Sequence, residues 1–151
     1  MEIIIRKTDE VVKVSAIAKQ LPEFFDEKGL SLIERDSKIH ILYGAYSKDK
    51  IIGFAIYKEI NLYTIEMCWL GVLPEMQGKG VGTKLVEESL KEFTHKYKVC
   101  EVKTLSETDS YKPYEKTREF YKNLNFIPIE TIYPYPNWGD NPCQIFVRFL
   151  P

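Results

Sequence analysis

The chain opens on three apolar residues, Ile3-Ile4-Ile5, which read as a short strand. Val11, Val12, Val14, Ile17, Ala18 and Leu21 then recur at helical spacing, with Thr8 or Asp9 as cap and Pro22 ending or redirecting the helix. Between Glu23 and Lys38 the apolar positions Phe24-Phe25, Leu30 and Leu32-Ile33 keep a helical period broken by Gly29, which predicts one or two short helices. From Ile39 to Val72 β-branched and aromatic residues dominate, and Ser47-Lys48-Asp49-Lys50 and Glu59-Ile60-Asn61 read as turns, so a three-stranded antiparallel meander is expected. Its third strand, Leu62 to Val72, is apolar on both parities: Tyr63, Ile65, Met67 and Trp69 on one, Leu62, Cys68 and Leu70 on the other. That pattern predicts a central strand covered on both sides.

Beyond a Gly-rich turn, Val81, Leu85, Val86, Leu90, Phe93 and Tyr97 line one side of a helix whose other side carries Lys84, Glu87, Glu88, Lys91 and Glu92. Val99 to Leu105 reads as a strand, Tyr114 to Leu124 as a second amphipathic helix, and Phe126 to Ile132 and Cys143 to Leu150 as closing strands. A strand, a helix and a strand in succession imply a parallel pair joined by a right-handed crossover. The expected fold class is mixed α/β. No linker, repeat or low-complexity stretch divides the chain, so residues 1–151 are expected to form one domain.

Composition narrows the function classes. Twenty-one Lys and Arg against twenty-two Asp and Glu leave a net charge of −1, which offers no global electrostatic footprint for nucleic acid. Three cysteines, Cys68, Cys100 and Cys143, are odd in number and widely spaced, and read as reduced thiols. The N-terminal apolar run is too short for a signal-peptide core or a membrane span, so a soluble, cytoplasmic protein with no membrane partner is expected. His40 and His95 are the only histidines and stand far apart, so no metal site is expected. No Gly-x-Ser-x-Gly elbow is present.

The sharpest local feature is Gln77-Gly78-Lys79-Gly80-Val81-Gly82, between the central strand and a long helix. Glycines let the backbone approach a ligand and aim successive amides at one spot, and the helix start adds the positive end of its dipole. The geometry suits a phosphate or pyrophosphate, with an unliganded flexible turn as the bland alternative. A Walker P-loop is excluded, because that pattern needs Gly-Lys followed by Ser or Thr and the order here is Gly82-Thr83-Lys84. The dinucleotide fingerprint fails as well, since Thr83 stands where its third glycine would be and the preceding sheet reads as antiparallel.

Val72-Leu73-Pro74 followed by Gln77-x-x-Gly80-x-Gly82 and a helix resembles the acetyl-CoA-binding motif of the GNAT (GCN5-related) N-acetyltransferase family. The family's second signature, an aromatic-rich helix before the last strands, is matched by Thr117-Arg118-Glu119-Phe120-Tyr121-Lys122-Asn123-Leu124-Asn125-Phe126, so the two motifs span positions 62 to 126. The resemblance implies a mostly antiparallel central sheet flanked by helices on both faces, and acetyl-CoA as co-substrate. It implies that Gln77, Gly78, Lys79, Gly80, Val81, Gly82 and Thr83 hold the pyrophosphate, and that Leu70, Gly71 and Val72 pair with the pantetheine arm. Lys79 or Lys84 could add charge there or simply be solvated. Tyr121 occupies the position of the family's tyrosine, which protonates the departing thiolate; by periodicity alone it shares a packing stripe with Tyr114, Thr117 and Leu124.

Glu66 stands out without the resemblance, because it interrupts an apolar strand and a buried carboxylate is costly unless paired or solvated. It lies eleven residues before Gln77, the offset of the catalytic glutamate in histone-type members, which makes it the candidate general base, acting through water. An ion pair or an edge-exposed position is the alternative. Two departures from the family pattern stand out: Tyr114 replaces an Asn common seven residues before the tyrosine, and Asn125 replaces a Gly. The acceptor, a primary amine of a small molecule or peptide, is expected between Phe24, Phe25, Asp26 and Glu27 and the segment from Tyr133 to Asp140, whose prolines and Trp138 could equally form a packing loop. Pairing through the late strands, common in the family, makes a homodimer possible. A non-catalytic acyl-CoA-binding or sensor module is the second reading, and a structural domain without cofactor the third.

Overall fold

The computed structural model describes residues 1–151. Strand β1 (Ile4–Lys7) is followed by helices α1 (Val11–Ala18) and α2 (Glu27–Ile39), and then by the meander β2 (Ile41–Ser47), β3 (Lys50–Glu59) and β4 (Thr64–Val72). A 3-10 turn at Pro74–Met76 leads to α3 (Val81–Phe93), β5 (Val99–Leu105), α4 (Tyr114–Asn123), β6 (Ile127–Ile132) and β7 (Cys143–Phe149). The seven strands form one sheet in the order β1-β2-β3-β4-β5-β7-β6, antiparallel except for the β4–β5 pair. The strand predicted to be central is the middle one of seven.

Two local expectations change. Gly29 does not break a helix: the Asp26 carboxylate accepts from the Gly29 amide at 2.8 Å, so the glycine lies in the first turn of one continuous helix. The first helix starts after Glu10, and Thr8 acts one step earlier by accepting from the Glu10 amide at 3.2 Å. Asn125 takes the left-handed conformation after α4, with φ of 65°.

Cross-strand partners share a face of the sheet, and the register separates the two layers. Phe54, Ile56, Trp69 and Gly71 face α1 and α2, whereas Tyr43, Tyr57 and Met67 face α3. The α3 layer is rich in buried phenols, and Tyr43, Tyr57 and Tyr97 each find a polar partner, as burial demands. Tyr43 donates to Glu92, Tyr57 shares a hydrogen bond with Ser89 at 2.5 Å, and Tyr97 donates to Glu59 at 3.1 Å. Arg148 of β7 forks onto both carboxylate oxygens of Glu87 at 2.8 and 3.1 Å and also donates to the Leu124 carbonyl, so one guanidinium ties α3 to the end of α4.

Two stability predictions follow from this packing. A Cβ at Gly71 would stand 2.6 Å from Cε1 of Phe54, whose ring is fully buried and has nowhere to move. Gly71→Ala is expected to cost about 1–3 kcal/mol by overpacking, read as a lower denaturation midpoint at unchanged slope. Hydrogen bonding to Arg148 holds the Glu87 carboxyl below its usual value of 4.5, against the opposing effect of burial. A depressed carboxyl stabilises the fold above its unfolded pKa, and that stability is lost as pH falls through the folded value. Glu87→Gln should therefore lower stability at neutral pH by on the order of 1 kcal/mol once solvent screening of this part-exposed pair is counted, with the gap to wild type closing below about pH 4.5 in unfolding titrations.

Candidate active site

The sheet opens in its middle. β4 and β5 pair only at Thr64–Val99, Ile65–Cys100 and Glu66–Glu101, although β4 runs on to Val72 and β5 to Leu105. The cause lies in β4: the register against β3 shifts so that Cys68 is the extra residue of a bulge, and a bulge bends its strand. Past Glu66 the edge of β4 toward β5 has no strand partner, and Leu70, Gly71 and Val72 lie along it. The Val72 carbonyl accepts from Nε2 of Gln77 at 3.0 Å, which braces the turn that follows. Gly71 owes its glycine identity to the packing against Phe54.

At the end of this edge the chain forms a cradle of amides. Gly78 and Gly80 take φ of 74° and 81°, and a Cβ built at either would meet nothing within 4 Å. The Gln77 amide donates to Pro74 and the Lys84 amide to Gly80, but none of the amides from Gly78 through Thr83 donates to any protein acceptor. No side chain caps α3, so its positive end is bare. Gly82 packs under the Phe120 ring, where a Cβ would sit 3.3 Å away, and this seats the start of α3 against α4. Of the two lysines, Lys84 turns away, its ammonium donating to the Ile3 carbonyl at 2.6 Å, while Lys79 is exposed in the cradle.

Glu66 and Tyr121 lie on opposite faces of the sheet. Glu66 lies on the α1–α2 face, only 13% exposed, with Oε1 3.2 Å from the Lys103 ammonium. Lys103 also lies 3.4 Å from Glu101 and sits over the Tyr135 ring at 5.5 Å. Glu66 and Glu101 are directly paired like charges, and the shared lysine offsets their repulsion. Burial alone would weaken proton binding at Lys103, but the Tyr135 hydroxyl and the two carboxylates hold it above the ordinary lysine range. Tyr121 is packed among Phe120, Phe126 and Phe146 on the other face. Burial pushes its phenol well above the usual tyrosine value, so it stays protonated at neutral pH.

The variable segments meet on the Glu66 side. Tyr111 and Tyr114 donate to the carbonyls of Glu23 and Phe24 at 2.7 and 2.9 Å, and Lys28 donates to the Asn137 carbonyl at 3.1 Å. The early loop, the start of α4 and the β6–β7 loop thus close around one region, floored by Trp69, whose Nε1 donates to Asp36 at 2.8 Å. Sequence reasoning missed Lys103, Glu101, Asp36 and Trp69 as parts of this wall. The alternation of charged Glu101 and Lys103 with apolar Cys100 and Val102 was the available signal for the first two. Burial raises all three thiols, Cys100 to about 12, Cys143 to about 11 and Cys68 further, so none offers a thiolate.

No group of three or more His, Cys, Asp or Glu side chains could hold a metal ion, and no helix is long and apolar enough to cross a membrane. A cavity of about 690 Å³ lies away from the opening, beside the edge strand β1, and is lined by Arg6, Tyr46, Lys50 and Met76 among others.

Comparison with known proteins places this architecture. A GNAT-family protein from Desulfovibrio desulfuricans superposes with a TM-score of 0.86 at 16% identity, over 99% of this chain and 100% of that one. A GNAT acetyltransferase from Elizabethkingia anophelis with acetyl-CoA bound gives 0.75 at 18% identity, over 98% of each chain. The PaiA N-acetyltransferase of Thermoplasma acidophilum in complex with coenzyme A gives 0.73 at 20% identity, over 96% and 98%. Among curated proteins no sequence matches. The model of the acetyltransferase (GNAT) domain matches residues 38–128, more than half of the chain and both motifs. The chain belongs to the GNAT acetyltransferase family.

Proposed function

We propose that the protein transfers the acetyl group of acetyl-CoA directly to a primary amine of a small molecule or peptide. The observation that carries the reading is the run of unpartnered amides from Gly78 to Thr83 at the bare end of α3, continuous with the unpaired edge of β4. Six donors around left-handed glycines suit a pyrophosphate, and an unpaired strand edge suits the amides of a pantetheine arm. In this reading Gln77 braces the turn, Gly78 to Thr83 bind the pyrophosphate, and Leu70 to Val72 hold the arm so that the thioester enters the opening.

The acceptor comes from the opposite face. An amine arrives mostly as ammonium and must lose a proton before it can attack, and Glu66 takes that proton through water. The amine attacks the thioester carbonyl, the carbon–sulfur bond breaks, the Tyr121 phenol protonates the departing thiolate, and the proton that the new amide nitrogen sheds restores the phenol. At neutral pH a phenol carries the proton that this donation needs. Three protonated thiols favour direct transfer over an acetyl-cysteine intermediate. Aromatic rings at Phe24, Phe25, Trp69 and Tyr135, together with the carboxylates of Glu66 and Glu101, suit a cationic acceptor.

One observation favours a second reading, a non-catalytic acyl-CoA-binding module: Glu66 is already engaged by Lys103. Turnover separates the two. Tyr121→Phe is expected to bind acetyl-CoA as wild type does in calorimetry, and to lose about 10²–10⁴-fold in kcat when thiol release is followed over a panel of primary amines. Tight acetyl-CoA binding with no turnover on any amine would favour the binding module. Absence of acetyl-CoA binding by the wild-type protein would contradict both.

A further inference from the structure

Lys103 is not a distant structural lysine. It lies on β5 two residues past the last β4–β5 pair, on the lip of the opening, with its ammonium 3.2 Å from the carboxylate assigned above to take the acceptor's proton. Glu101 at 3.4 Å and the Tyr135 ring at 5.5 Å complete a seat made of two carboxylates and an aromatic face, the chemistry that recognises an ammonium. At 22% exposure the side chain is neither entombed nor free in solvent. The chain's own amine thus occupies the place where an acceptor amine would be deprotonated.

We propose that Lys103 is an internal acceptor, and that in the absence of another amine the protein acetylates its own Lys103 from acetyl-CoA. This rests on the acetyl-CoA reading above. Glu66 takes one proton from the Lys103 ammonium, and the freed Nζ attacks the thioester carbonyl. The nitrogen–carbon bond forms, the carbon–sulfur bond breaks, and CoA leaves as a thiolate that Tyr121 protonates. The amide nitrogen sheds its second proton, which restores Tyr121, and one proton is released overall. The groups facing Lys103 are Glu66 and Cys68 of β4, Glu101 of β5, Cys143 of β7 and Tyr135 of the β6–β7 loop. The carboxylates among them favour the ammonium, so the reaction is slow at neutral pH and quickens as pH rises. Acetylation removes the positive charge between Glu66 and Glu101, which gives the product a different site from the unmodified chain.

The test is incubation of the wild-type protein with acetyl-CoA and no added amine, followed by peptide mass spectrometry, with calorimetry on the same preparation. The expected result is an acetyl group on Lys103, formed at a first-order rate independent of protein concentration, and slowed about 10²-fold in Glu66→Gln. Lys103→Arg, which keeps the charge, should bind acetyl-CoA and show no modification at that position. Acetyl-CoA binding without acetylation of Lys103 overturns the inference. So does acetylation that is equally fast in Glu66→Gln, that spreads evenly to the exposed Lys48 and Lys79, or that scales with protein concentration. Absence of acetyl-CoA binding would instead remove the reading on which the inference rests, and the inference with it.

Discussion

Three residue pairs hold β4 to β5, and nearly everything of functional interest depends on their being only three. A parallel pair running its full length would seal the sheet and leave neither a free strand edge nor a passage between its two faces. The bulge at Cys68 prevents this by bending β4 just after Glu66. The last paired position then carries Glu66, the unpaired edge begins immediately after it, and the cradle follows at the strand's end. Base, edge and cradle are ordered along one stretch of chain because the sheet opens at that point.

The opening must still be held at a fixed width, and the packing on the α3 side does this. Gly82 admits Phe120 against the first turn of α3, Lys84 anchors that turn to β1, and Arg148 joins α3 to the end of α4. None of these contacts uses the amides of the cradle. On the opposite face Tyr111 and Tyr114 bind the early loop through two carbonyls, which explains what the tyrosine at position 114 does where a smaller amide is common. Here the side chain shapes the acceptor side of the opening.

Much of this was legible from residue patterns. The two-face apolar character of the third meander strand identified the centre of the sheet, and the glycine spacing located the cradle, because both reflect local physical demands: burial on both sides and positive φ. Asn125 was readable for the same reason. Gly29 was misread, because a glycine inside a helical period does not reveal that Asp26 has placed it in a first turn. The bulge at Cys68 left no mark in the alternation, since the strand is apolar on both parities and a slip of one residue exchanges one apolar set for another. The grip of Lys103 on Glu66 depends on the parallel register between strands separated by a whole helix, and no local pattern encodes it.

The central claim is that the amides from Gly78 to Thr83 form the cofactor site, and the most direct measurement is amide-resolved NMR during titration with acetyl-CoA. The account predicts large shifts at those six amides and along β4 from Met67 to Val72, with much smaller changes around Arg6, Tyr46 and Lys50. Shifts concentrated at the cavity beside β1, with the cradle amides unmoved, would contradict it.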